Sequence, residues 1–280
     1  MNKVMKLIGG SLVSAGMLAL AARGFTYATV IEPAELEVTR VTIPLRRLPP
    51  RFDGFTIAQL SDMHLGGWMT VEHMLAVAEC VNALQPDVIA ITGDFVHEFW
   101  NMSSVELTHS LSTLRAKEGV IGVLGNHDHR RGAALVAQAI EDAGVTLLFN
   151  SHLVLSRDDA RLYIAGVDDI WVNRQNLGRA LEGIPPESAV VLLAHEPDYA
   201  DEVATTGRVG LQLSGHTHGG QVRIPGWGAP VLPWLGKKYD AGLFRVNGMH
   251  LYVNRGVGMI PPYVRFNCRP EITLITLASA

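Results

Sequence analysis

The chain has 280 residues, 48% of them hydrophobic and 18% charged, with a formal net charge of −4. That balance excludes a disordered polymer and a nucleic-acid binder that works through a general basic field, and the length allows a sizeable core. Two cysteines, Cys80 and Cys268, are too few for a disulfide framework or a thiolate zinc site, whereas many of the 11 histidines lie in short clusters.

Lys3 and Lys6 precede an uncharged run from Leu7 to Ala22, closed by Arg23. A basic start, an apolar middle and the small residues of Ala19-Leu20-Ala21 make residues 1–24 a signal peptide or an uncleaved membrane anchor. The run is a little short of the roughly 20 residues that span a bilayer, although Arg23 can snorkel. Gly9-Gly10 argues against a buried core helix. Lysines ahead of the run favour a domain outside the membrane, an asymmetry that Arg46-Arg47 weakens.

Leu36 to Ile43 alternates and is rich in Thr and Val, which predicts a strand, and the Pro49-Pro50 turn follows. Phe55 to Leu60 reads as a strand ended by Ser61-Asp62-Met63-His64. Thr70 caps a predicted helix to about Leu84, with Met74, Leu75, Ala78 and Val81 on its apolar face and Cys80 buried on it. Val88 to Thr92 is a buried strand ended by Gly93-Asp94, and Ser104 opens another helix. Val120 to Leu124 ends in Gly125-Asn126-His127-Asp128, and a further helix runs to about Ala143 with Gly144 as its cap. Val190 to Ala194 ends in His195, and Leu211 to Leu213 ends in Gly215-His216-Thr217-His218-Gly219-Gly220. Short strands are predicted at Val222 to Ile224, Leu251 to Asn254 and Ile272 to Leu277. Strands alternating with helices, then mostly strands, indicate a mixed two-sheet α/β sandwich with helices outside. With no linker or repeat, residues 35–280 read as one catalytic domain.

Five apolar strands thus end in polar, metal-competent residues, where α/β folds place their functional crevice. Asp62 and His64, two apart in an extended segment, project to one side and can reach one ion, as can His216 and His218. Asp94 can put its carboxylate between two ions, Asn126 offers a neutral oxygen, and His195 adds an imidazole. Seven oxygen and nitrogen ligands without a thiolate suit two ions of Mn²⁺, Fe or Zn²⁺. Each element alone is common, since Asp-x-His is usually incidental and Gly-Asp is also a turn signal. All five in this order at strand ends are hard to obtain by accident.

These motifs, D-x-H, G-D, G-N-H-D, H and G-H-x-H between Asp62 and His218, resemble the calcineurin-like metallophosphoesterase superfamily without a departure. The resemblance implies a four-layer α/β/β/α sandwich with mixed sheets and a dinuclear metal site. It assigns Asp62, His64 and His218 to one metal and Asn126, His195 and His216 to the other, with Asp94 bridging. His127 becomes a non-ligand near the leaving group. The stretches His195-Glu196-Pro197-Asp198, Gly215 to Gln221, Tyr239-Asp240-Ala241-Gly242, Asn254 to Gly258 and Cys268-Arg269-Pro270-Glu271 resemble a narrower branch of membrane-associated bacterial phosphodiesterases. Some relatives in that branch cleave the pyrophosphate of UDP-diacylglucosamine. The resemblance implies the bacterial inner membrane; the lysines ahead of the apolar run favour a domain facing the periplasm or the outside, or exported if the leader is cleaved, whereas cleavage of such a UDP-linked lipid would need a domain facing the cytoplasm.

The expected chemistry is hydrolysis of a phosphodiester or pyrophosphate by hydroxide activated between two metals, with no covalent intermediate. His127 is expected to serve the leaving oxygen and Asp128 to orient it. His129, Arg130, Arg131 and Arg255 are further candidates for phosphate contact, although structural roles suit Arg255, Arg265 and Arg269. Trp68, Phe95, Phe99, Trp100, Trp227 and Trp234 fall in loops expected around the metals, which suggests an amphiphilic, lipid-type substrate. Hydrolysis of soluble nucleotides or other small phosphates, and a metal-holding scaffold without turnover, are the competing readings. No nucleic-acid partner is expected.

Overall fold

The computed structural model describes residues 17–279 apart from 19 and 99–102. Most of the expected leader, and also Phe99 and Trp100, therefore lie outside the described residues. Among the described residues no helix is long and apolar enough to cross a membrane. Helical residues 20–26 continue through a π-helical stretch, Tyr27–Ile31, into Glu32–Ala34.

Two six-stranded sheets follow. The first contains β1 (Glu37–Leu45), β2 (Thr56–Leu60), β3 (Val88–Thr92), β4 (Val120–Val123), β5 (Val145–Leu147) and β12 (Glu271–Ser279), in the order β1-β12-β2-β3-β4-β5. The second contains β6 (Ser151–Arg157), β7 (Ala160–Gly166), β8 (Ala189–Leu193), β9 (Leu211–Ser214), β10 (Gly242–Val246) and β11 (Met249–Val253), in the order β10-β11-β9-β8-β7-β6. Strands β2 to β5 pair in parallel, as do β7, β8, β9 and β11, while β12 meets β2 antiparallel. The parallel centres of both sheets aim their carboxyl ends at one crevice.

Strand periodicity decides what each face touches. In β2 and β3, Ile57, Val88 and Ala90 face the second sheet, where they meet Ile164, Val191, Leu193 and Leu213. Ala58, Leu60, Ile89 and Ile91 face the opposite way, onto α1 (Val71–Ala83), α2 (Ser104–Leu111) and α3 (Asn126–Asp142). On the far side, Ala165, Val190 and Leu192 pack under α4 (Leu177–Ala180) and α5 (Ala200–Thr205). Every residue of β3 and β8 is buried, as expected of parallel strands covered on both faces. The result is the expected four-layer α/β/β/α sandwich.

Local signals behave as their chemistry requires. Thr70 Oγ1 accepts the His73 N–H and caps α1. Ser103 and Glu106 form a capping box at α2. Gly144 follows α3 at φ 85°, where a side chain would be strained. Three local expectations need correction. The buried stripe of α1 is Met74, Val77, Ala78 and Val81, with Leu75 half-buried, and Cys80 is exposed because it lies off that stripe. Val222 to Ile224 is not a strand: Val222 and Ile224 make only isolated bridges, to Phe266 and Gly228, in a Gly- and Pro-rich stretch. Strands β5, β6, β7 and β10 had no expectation: β5 adds in parallel to the edge of the first sheet, and the β6–β7 and β10–β11 pairs form the antiparallel margins of the second.

Candidate metal centre

The loops after β2, β3, β4, β8 and β9 carry Asp62 and His64, Asp94, Asn126, His195, and His216 and His218, and all seven side chains are buried. His64 Nε2 and His218 Nε2 face each other at 3.0 Å, and His218 Nε2 is 3.4 Å from Asp62 Oδ1. Asp94 Oδ2 lies 3.6 Å from His64 Nε2 and 3.2 Å from His195 Nε2, so one carboxylate faces both halves of the cluster. His195 Nε2 is 3.3 Å from His216 Nδ1. Asn126 opens α3, and the backbone N–H of His127 beside it donates to Asp94 Oδ1 at 2.9 Å.

The backbone is bent to achieve this. Asp62, His64, Asp94, His216 and His218 all have φ between 48° and 70°, a region that costs non-glycine residues energy and collects at functional sites. The bend after β2 is held by hydrogen bonds from Asp62 N–H to Gly93 O and from His64 N–H to Asp94 O, both 3.0 Å. Glycine is required where the loops touch. A Cβ on Gly125 would sit 2.4 Å from Asp94 Oδ1, and one on Gly215 would sit 1.8 Å from Ser61 Oγ. Below the cluster, the Gln59 amide joins the two sheets by donating to Thr92 Oγ1 and to Ser214 O.

The donor set fits divalent cations. Burial pushes His64 and His216 down to about 3, so these imidazoles are neutral and hold lone pairs at physiological pH. Burial pushes Asp62 up to about 7, the response of a carboxylate packed away from water and near Asp94. For Asp94 the same burial is outweighed by His195 and His127, and the carboxyl stays well below the usual range. Asn126 Oδ1 is a buried acceptor with no hydrogen-bond donor. His195 is the exception: burial lowers it, but Asp94 outweighs that and holds it well above its ordinary value. Neutral imidazoles at His64 and His216, crowded carboxylates and an orphaned amide oxygen are together what a divalent cation would satisfy.

His127 is only partly buried, and its ring lies 4.7 Å from that of His64. Its Nδ1 is 4.0 Å from Glu98 Oε2. Asp128 does not reach that ring by a hydrogen bond: its oxygens accept N–H groups from Gly125 at 2.9 Å and Val96 at 3.1 Å. Any influence of Asp128 on His127 therefore runs through the backbone it fastens. His129 pairs with Asp168 at 2.7 Å, and Arg130 pairs with Glu98 at 3.2 Å while lying over Trp171. Arg255 is committed to Glu271 and Glu37, Arg265 to the carbonyls of Arg255, Gly256, Gly258 and Cys268, and Arg269 to Glu35. Arg255 is thus held as a structural cation, the role that the sequence favoured for it.

Sequence reasoning missed Trp171, whose ring is 5.6 Å from His216 and 5.3 Å from Trp234. It also left Glu196 and Asp198 without roles. Glu196 accepts the N–H groups of Ile170 and Trp171, and Asp198 accepts those of Lys237, Lys238 and Tyr239. The run His195-Glu196-Pro197-Asp198 therefore supplies one candidate ligand and fastens two loops around His216, whose Nε2–H donates to the carbonyl of Trp234 at 2.8 Å and so leaves Nδ1 as the nitrogen with a free lone pair. Trp68 is half-buried and stacks on His73, which is ordinary packing.

A family model described as calcineurin-like phosphoesterase matches residues 55–220, more than half of the chain. The chain belongs to that family. Membership makes it a metallophosphoesterase, a hydrolase of phosphoric esters in a family that uses divalent metals. It is 37% identical to the Bacillus subtilis protein named metallophosphoesterase YkuE, over 95% of this chain and 94% of that one. It is 31% identical to the Escherichia coli phosphodiesterase YaeI, over 91% and 93% of the two chains. A Bos taurus transmembrane protein with a metallophosphoesterase domain is 33% identical over 87% of this chain and 57% of its own length.

Proposed function

We propose that this metallophosphoesterase hydrolyses a phosphodiester or pyrophosphate bond of a lipid-type substrate at a membrane, with two divalent ions in the cluster. The observation that carries the reading is the convergence of Asp62, His64, His218, Asp94, His195 and His216 within one buried crevice, with Asn126 at its edge. Asp62, His64 and His218 would hold one ion and Asn126, His195 and His216 the other, with Asp94 within reach of both. When bound, such ions supply Lewis acidity toward phosphoryl oxygens and a nucleophilic water near neutral pH. Oxygen and nitrogen donors suit manganese, iron or zinc.

The chain's own residues do the rest. Asp94 is held in place by the His127 N–H, so the donor group and the carboxylate move as one unit. The His127 ring, partly exposed at the edge of the crevice, delivers a proton to the departing oxygen, with Glu98 4.0 Å from its Nδ1 as a counter-charge. No nucleophilic side chain is needed, so no covalent intermediate forms. Residues 35–280 act as one domain, and residues 1–24, a signal peptide or a membrane anchor, bring it to the bacterial inner membrane with the domain on the outer side, or export it if they are cleaved; the lysines ahead of the apolar run support that orientation.

Bis-p-nitrophenyl phosphate tests the chemistry. Turnover is expected with Mn²⁺ and is expected to vanish with chelator. Absence of turnover with manganese, iron and zinc alike would refute the catalytic reading and leave a metal-holding scaffold. A panel of lipid and nucleotide diesters separates the lipid-type substrate from soluble phosphates.

A further inference from the structure

A cavity of about 460 Å³ opens directly against His216 and His218. That size lies within the roughly 300–1,000 Å³ of small-molecule sites. Apolar side chains and prolines make most of its wall, among them Val222, Leu232, Pro233, Ile260 and Val264. Gln221 is the one amide side chain among the lining residues, and its groups are spent: Nε2 donates to Ile260 O and Pro262 O, and Oε1 accepts the Ile260 N–H. Water in such a space finds few partners, whereas hydrocarbon loses nothing there. The wall is therefore polar at its metal-centre end and apolar beyond it.

The mouth is apolar too. Trp227 is 73% exposed and Val231 75%, and Ile224 and Phe266 are also exposed. Phe266 meets the ring of Tyr27 at 6.3 Å, and the Arg265 N–H donates to Ala28 O at 2.8 Å. The rim is thus joined to the N-terminal helical segment, which exposes Phe25 and Val30. Exposed apolar side chains on the segments that build the cavity, a tryptophan among them, are the character of a lipid-facing surface.

Resting on the phosphoesterase reading above, we infer that this cavity is the subsite for the acyl or alkyl chain of an amphiphilic phosphoester. The phosphate lies at the centre and the chain runs along Val222, Leu232 and Val264 to a rim that takes it from a lipid surface. The geometry needs both ends in one molecule, because the two histidines that wall the cavity are also candidate metal ligands.

Calorimetric binding of methyl-, hexyl- and dodecylphosphonate to the full chain tests the subsite without turnover. Hexylphosphonate is expected to bind at least about tenfold more tightly than the methyl compound, since each buried methylene contributes. Val264→Trp, which fills the cavity, is expected to bring the hexyl-to-methyl ratio close to one. Leu232→Ser is a milder second variant, should the first fail to fold, and is expected to lower the ratio severalfold. Dodecylphosphonate dispersed in phosphatidylcholine vesicles distinguishes a membrane source from a free amphiphile: capture from vesicles, weakened severalfold by Trp227→Ala, supports the rim as the entrance, and loss of capture in vesicles overturns it. A wild-type ratio of about one, or a ratio untouched by both variants, overturns the subsite even if bis-p-nitrophenyl phosphate is hydrolysed. Chain-length-dependent binding without hydrolysis of any ester upholds the subsite and removes the catalytic reading instead.

Discussion

Asp94 touches more of the centre than any other carboxylate. It faces His64 and His195 and accepts the His127 N–H. Asp94→Ala is expected to empty at least one metal position, measured by elemental analysis of the purified protein. His127→Ala is expected to keep the metal and lose turnover by about a hundredfold or more, the range of general acid–base catalysis. Metal loss in that variant would instead make His127 a ligand. Gly125→Ala tests the packing itself. Its Cβ would meet Asp94 Oδ1 at 2.4 Å, so the variant is expected to lose metal without losing a ligand.

At the scale of elements, β12 stitches the first sheet to the crevice. Glu271 at its start accepts from Arg255 Nε at 2.8 Å and from the Tyr252 hydroxyl at 2.6 Å. Burial pushes Glu271 up, but Arg255 and these hydrogen bonds outweigh it and leave the carboxyl below its ordinary value. Its contribution to stability is therefore present above the ordinary carboxylate range and lost as pH falls through the lowered folded value. Glu271→Gln is expected to lower Tm at neutral pH and to narrow the gap between the Tm values at about pH 7 and about pH 3. Two thermal melts per protein check this, and an unchanged gap would assign the acid sensitivity to other carboxylates. Glu32, buried in the N-terminal helical segment, fastens the neighbouring loop by accepting the Asn267 N–H at 2.9 Å and the Cys268 N–H.

For the whole molecule, the sandwich explains why residues from Asp62 to His218 form one site. Parallel strands from two sheets end at the same level, and Gln59 ties the sheets together just beneath. The apolar mouth and the N-terminal helical segment meet on one side of that crevice, which is the arrangement the vesicle experiment probes. An enzyme so built needs no basic surface to bind phosphate, in keeping with a net charge of −4, because bound cations supply the positive charge locally.

The candidate ligands were legible in the sequence because each sits at the end of an apolar strand, and strand, glycine bend and donor are neighbours in the chain. The layer order followed from the same strands, whose continuous apolar character requires cover on both faces. One of the four residues expected on the buried face of α1 was misread, Leu75 for Val77, and Cys80 was placed inside although it is exposed. Only tertiary structure decided the surroundings. Trp171 reaches His216 across 45 residues of sequence, and Glu196 finds its partners on the loop that carries Trp171. It also supplied the partners of Arg255, Glu37 and Glu271, for the structural role that the sequence favoured but could not pair. The apolar cavity beside the histidines is likewise built from segments near residues 222, 232 and 264. Short-range chemistry writes strands, bends and donors into consecutive residues, whereas loop contacts depend on which distant surfaces the packed sheets bring within reach.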